Sequence, residues 1–157
     1  MKILYVCTHN RCRSILCEAI TNLVAGPGMM AASAGSQPEG QVHPLTLQYL
    51  REAGVPTVGL HSKSWDALED FEPDLVITVC DSAANESCPA WFGKAVKVHW
   101  GLADPSKVQG DADAQAQAFR ACIAEIKQRA TALRDIARLH PDGELLRAAL
   151  LRLGASA

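Results

Sequence analysis

The chain has 157 residues, 48% of them apolar, and its 15 Lys and Arg against 17 Asp and Glu give a formal net charge of −2. That length suits one domain of roughly 150 residues with a core of its own, and the near-neutral balance lacks the basic excess of a nucleic-acid binder, so any anion site has to be local. No apolar run approaches the roughly 18 residues of a membrane span, and six cysteines are too few for a disulfide scaffold, which predicts reduced thiols in a cytoplasmic protein.

Residues 3–6 are apolar and partly β-branched and predict a first strand, followed by the polar stretch 8–14. From Ser14, the apolar positions Ile15, Leu16, Ala19, Ile20, Leu23 and Val24 keep the three-and-four spacing of a helix face, ended by Gly26-Pro27-Gly28. Residues 29–34 predict a weak second strand, and residues 35–40 a turn-rich connection. Pro44 suits the first turn of a helix carrying Leu45, Leu47, Tyr49 and Leu50, which Ala53-Gly54 ends. A short helix is predicted over residues 65–70.

Residues 74–79 form the strongest strand signal, apolar enough to be buried on both faces as in a parallel sheet. Val96 and Val98 alternate with Lys97 and His99, which predicts a fourth strand over residues 94–100 and an irregular loop over 101–110. Residues 111–138 predict a long helix with Phe119, Cys122, Ile123, Ile126, Ala130 and Leu133 on one face. Strands alternating with helices give an α/β fold, a four-stranded parallel sheet flanked by helices. The domain is expected over residues 1–140, with an amphipathic C-terminal helical extension over 141–157.

Cys7-Thr8-His9-Asn10-Arg11-Cys12-Arg13-Ser14 lies between the first strand and the first helix. A loop wrapped at a helix N-terminus points unpaired N–H groups inward and adds the positive end of the helix dipole, a cradle for a tetrahedral oxyanion. Arg13 brings a planar fork that holds two oxygens. The same field favours a thiolate, so the Cys7 thiol is expected below its ordinary value and is the candidate nucleophile. Ser14 is placed to hydrogen-bond that sulfur, and Asn10 tolerates a left-handed turn. Zinc is not expected, because the six cysteines contain no Cys-x2-Cys pair.

With these residues the chain resembles the low-molecular-weight protein tyrosine phosphatase family and, within it, the arsenate reductases. The resemblance implies that Asp104, in Asp104-Pro105, is the general acid. Phosphatases of this kind usually carry aromatic residues after that pair, whereas Ser106 and Lys107 follow here. Cys80, at the end of the third strand, and Cys88, beyond a polar loop, resemble the additional thiols of three-cysteine arsenate reductases recycled by thioredoxin.

The implied function is reduction of arsenate to arsenite without a cofactor. Thr8, His9, Asn10, Arg11, Cys12, Arg13 and Ser14 are expected around the substrate, phosphate and sulfate as mimics, and a disulfide relay through Cys7, Cys80 and Cys88. Thioredoxin is the expected reductant, with glutathione and glutaredoxin open, and weak phosphatase activity is expected to survive. A tyrosine phosphatase and a thiol-based oxyanion sensor are the alternatives. Some family members have a potassium site. Asn10, Glu18 and Ser33 match it, but Ser64 stands where an aspartate is expected, and Lys63 is placed to supply the missing positive charge.

Overall fold

The computed structural model of the protein describes residues 1–84, 89–93, 95–140 and 143–156. Cys88 and Lys94 lie outside them. Four strands, β1 (Lys2–Val6), β2 (Met30–Ala34), β3 (Leu75–Thr78) and β4 (Val96–His99), form one sheet in the order β2-β1-β3-β4 with every pair parallel. The α-helices are α1 (Arg13–Ala25), α2 (Pro44–Glu52), α3 (Asp81–Ala84), α4 (Ala112–Leu139) and α5 (Gly143–Ser156). The predicted α/β class and four-stranded parallel sheet are the observed ones.

Strands β1 and β3 are adjacent, yet the chain leaves β1 towards β2 and leaves β3 towards β4. Such a reversal opens a crevice beyond the carboxyl ends of the two strands, where ligands of open α/β sheets bind. Cys7 follows β1 and Cys80 follows β3 by two residues, so both thiols stand at this crevice. The sheet pairing reaches up to the site: the Cys7 N–H donates to Ala34 O at 3.3 Å and the Val79 N–H to Val6 O at 3.0 Å.

Ile3, Leu4, Tyr5, Leu75, Val76 and Ile77 are buried because both faces of β1 and β3 are covered. Helix α1 packs on β1, β2 and α4, while α5 packs on β4. The buried α1 face, Ile15, Leu16, Ala19 and Ile20, is the one its spacing predicts. Asp111 caps α4 by accepting from the Ala114 N–H at 2.9 Å, and Phe119 of α4 stacks on Tyr49 of α2 with centroids 4.9 Å apart.

Two segments differ from expectation. The helix predicted at residues 65–70 is a 3-10 helix, Trp65–Phe71, kinked at Leu68. The polar loop after Cys80 begins with the short helix α3, because the Cys80 sulfur accepts from the Ala83 N–H at 3.4 Å and so serves as its cap.

Cys12, Cys17 and Cys122 are all buried. Burial pushes the Cys12 and Cys122 thiols up to about 12 and the Cys17 thiol well above its ordinary value. A raised acid pKa means the folded state favours the protonated thiol, so this stabilisation is full below the unfolded-chain value, about 8.5, and is lost as pH rises through the folded values. The melting temperature should therefore fall as pH is raised from about 9 towards 12. Cys122→Ala should flatten that limb, which differential scanning calorimetry across this range will read.

Candidate oxyanion site

The loop from Cys7 to Ser14 is held from outside by its own carbonyls. Thr8 O accepts from the Gln37 N–H at 2.9 Å, His9 O from the Glu39 N–H at 3.1 Å and from the Ser62 hydroxyl at 3.3 Å, and Arg11 O from the His43 N–H at 2.9 Å. Cys12 O receives the Leu16 N–H at 2.9 Å, the first bond of α1. With the carbonyls engaged outwards, the N–H groups of Arg11, Cys12 and Arg13 donate to no backbone carbonyl among the described residues. These are the orphan donors of a helix start, and they create the local demand for an anion that the neutral composition left open.

Asn10 makes the turn possible. It is fully buried with φ 46°, a left-handed conformation that asparagine tolerates better than most residues. Its Oδ1 accepts from the Lys63 N–H at 2.8 Å, which fixes the orientation of the amide. The Nδ2 group then donates to Ser14 Oγ at 2.8 Å and to Ser33 Oγ at 3.0 Å. Because Ser14 Oγ already accepts from Asn10, its own hydrogen is left for the Cys7 sulfur 2.9 Å away. Ser33 in turn donates to Glu18 Oε1 at 2.7 Å, and the Lys63 ammonium lies 3.3 Å from the same oxygen. Lys63 thus supplies positive charge beside Glu18, as expected.

Arg13 does not face the sulfur. Its guanidinium donates to Leu102 O at 3.0 Å and pairs with Asp104 Oδ2 at 3.7 Å. The other oxygen of Asp104 accepts the Ser106 N–H at 2.9 Å and the Ser106 hydroxyl at 2.6 Å. The nucleophile's pKa does not show the expected depression. Burial pushes the Cys7 thiol up, and hydrogen bonds from the Ser14 hydroxyl and from the Ser14 and Asn10 backbones pull it only part of the way back. The charge expected to lower it is turned towards a carboxylate.

A cavity of about 130 Å³ collects most of the predicted residues. Cys7, Thr8, His9, Arg11, Cys12, Arg13, Cys80 and Asp104 line it, as do Ser82 and Lys107. Asn10 and Ser14 are buried behind the loop rather than in its mouth, so they shape the cradle and orient the sulfur. Cys80 lies across from Thr8, whose hydroxyl is 3.7 Å from the Cys80 sulfur. Cys7 and Cys80 are both free thiols. Among the described residues, no group of three His, Cys, Asp or Glu side chains is placed to hold a metal ion.

Sequence reasoning missed Gly35 and His43. A Cβ on Gly35 would stand 2.5 Å from Thr8 O and 2.7 Å from Cys7 O, so the loop closes only over a glycine. His43 caps α2 by accepting from the Leu45 N–H at 3.1 Å while its backbone N–H holds Arg11 O. The Gly-Ser step after β2 carries no signal of that contact, which depends on a loop more than 20 residues upstream.

Ser14→Ala removes a hydrogen bond that favours the thiolate, so it should move the pH dependence of Cys7 alkylation by iodoacetamide upwards. Peptide mass mapping across pH 7 to 10.5 reads this directly. The Lys63 and Glu18 side chains are only 11% and 12% exposed, and removing one partner of a buried pair costs on the order of 3 kcal/mol. Lys63→Met should accordingly lower the melting temperature, whereas the unaltered protein should melt alike in potassium and sodium chloride at matched ionic strength.

The family model for low molecular weight phosphotyrosine protein phosphatase matches residues 2–144. An arsenate reductase of Halalkalibacterium halodurans is 33% identical over 127 residues, covering 81% of this chain and 90% of that protein. An arsenate reductase structure from Archaeoglobus fulgidus superposes with a TM-score of 0.69 at 26% identity, over 85% of this chain and 98% of that one. The thioredoxin-dependent arsenate reductase of Corynebacterium glutamicum gives 0.67 at 27% identity, over 88% of this chain and 62% of that one. The match takes in every strand and the whole cradle, and the chain therefore belongs to the low molecular weight phosphotyrosine protein phosphatase family.

Proposed function

We propose that this protein is an arsenate reductase, a single domain over residues 1–140 with a helical extension, acting in the cytoplasm through a three-cysteine relay with thioredoxin as reductant. The observation that carries the reading is the second thiol: Cys80 lines the same cavity as Cys7, and hydrolysis of a phosphate ester has no use for it. The relatives named arsenate reductase support the same choice.

Arsenate enters as an anion shaped like phosphate. It draws Arg13 away from Asp104, and the fork and the inward N–H groups hold its oxygens. Cys7 gives its thiol proton to the bound arsenate, which passes it to Asp104 once Arg13 has left that carboxylate; the thiolate attacks arsenic, forming a sulfur–arsenic bond, and Asp104 returns the proton to the departing oxygen so that it leaves as water. Cys80 then attacks the Cys7 sulfur. The sulfur–arsenic bond breaks, its electron pair stays on arsenic, and arsenite departs with arsenic reduced by two electrons and the two thiols oxidised to a Cys7–Cys80 disulfide. Cys88 attacks Cys80 next, which releases Cys7 and leaves a Cys80–Cys88 disulfide for thioredoxin to reduce. The raised Cys7 thiol gives the first step a definite pH dependence: the reactive thiolate fraction grows with pH.

The proposal is tested by arsenate-dependent NADPH oxidation with thioredoxin and its reductase, run beside glutathione and glutaredoxin. Cys7→Ser should be inert and Cys80→Ser should hold the arsenic adduct on Cys7. Cys88→Ser should release one equivalent of arsenite and accumulate the Cys7–Cys80 disulfide. Steady turnover of Cys88→Ser with thioredoxin at the unaltered rate would overturn the relay. Hydrolysis of p-nitrophenyl phosphate should be detectable and slow.

A further inference from the structure

The cations around the cavity are not equivalent. Arg11 pairs with Glu39 at 3.6 Å and Arg13 with Asp104 at 3.7 Å, so each guanidinium is matched by a carboxylate. Lys107 also lines the cavity, and among the described residues no carboxylate lies within ion-pair distance of its ammonium. Among the described residues, Lys107 is therefore the cavity-lining Lys or Arg without a paired carboxylate.

Its place in the fold is fixed at the backbone. Lys107 ends a 3-10 helix, Pro105–Lys107, that Asp104 caps, with Pro105 buried beneath. The Lys107 N–H donates to Asp104 O at 3.2 Å, and Gln115 of α4 donates to Ser106 O at 3.4 Å. An anchored backbone with an exposed four-carbon arm leaves Lys107 lining the cavity from its solvent side.

We propose that Lys107 is a specificity-determining residue that selects a free inorganic dianion over an organic ester of the same anion. The inference rests on the reading of this cavity as an oxyanion site. A tetrahedral dianion bound in the cradle turns three oxygens to the loop and Arg13 and one towards the mouth. In a free oxyanion that fourth oxygen accepts a hydrogen bond from the ammonium, and Arg13 with Lys107 supplies two positive charges for two negative ones. In an aryl ester the fourth oxygen carries a ring, which takes the space at the mouth and strips water from the ammonium without offering an acceptor in return. Among the described residues, no Phe, Tyr or Trp side chain lines the cavity to receive that ring.

The test uses protection of Cys7 from iodoacetamide as a binding assay, with inorganic phosphate and phenyl phosphate as probes and Lys107→Met and Lys107→Arg as variants. Lys107→Met should weaken phosphate protection about tenfold, close to 1.4 kcal/mol, while phenyl phosphate protection holds or tightens, so the ratio of the two constants shifts at least tenfold. Lys107→Arg should retain the preference of the unaltered protein. An unchanged ratio, whether both probes weaken together or neither does, overturns the proposal. A reductase assay on the same variants should show the arsenate KM rising with kcat nearly constant. Absence of arsenate turnover by the unaltered protein would instead overturn the reductase reading, and the protection ratio would still decide the role of Lys107.

Discussion

A peptide chain cannot turn its N–H groups towards one point unless its carbonyls find partners on the other side. Here the partners come from residues 37, 39, 43 and 62, and the turn itself is allowed by a single asparagine in the left-handed region. Asn10 joins the layers: one side-chain amide sets the direction of the Ser14 hydroxyl, the Ser33 hydroxyl and the Lys63 backbone together. Replacing it with a residue of similar size but without that amide leaves three buried polar groups to find new partners. The cradle is thus a property of the surrounding shell as much as of the eight residues that form it.

The buried line from Cys7 through Ser14, Asn10, Ser33 and Glu18 to Lys63 ends on a charge carried by the chain itself. An ammonium on a flexible stem gives weaker geometric control than a coordinated ion, but it is covalently fixed and cannot dissociate. Its backbone N–H binds Asn10 while its side chain binds Glu18, so one residue ties the middle of the network to its end.

Much of this was legible in the sequence because the strongest patterns are the ones nearest the site. The apolar runs of β1 and β3, the helix face that begins beside Ser14 and the position of Cys7 between them follow from periodicity and spacing alone. What spacing could not give was the partner of Arg13. A guanidinium at a helix start reads as a charge for the neighbouring sulfur, yet Asp104 and Leu102, some 90 residues on, take it in the empty site. The Cys7 thiol departs from its expected direction for another reason that spacing does not carry: local electrostatics favour a thiolate, and burial of the sulfur outweighs the hydrogen bonds that support it. Gly35 escaped notice similarly, since its constraint is a contact with Thr8 O rather than a turn of its own. The strand pattern puts Cys80 at its strand end, but its part in capping α3 is a contact of the folded chain that no periodicity carries.

The Arg13–Asp104 pair gives the guanidinium a partner within the chain. A carboxylate with one negative charge already holds the guanidinium, so a singly charged anion that displaces it exchanges like for like and gains no Coulomb energy from Arg13. An anion carrying a second charge, by contrast, outweighs the carboxylate it would displace. The internal carboxylate acts as a threshold. Its height is one unit of charge, set by a side chain of the protein itself.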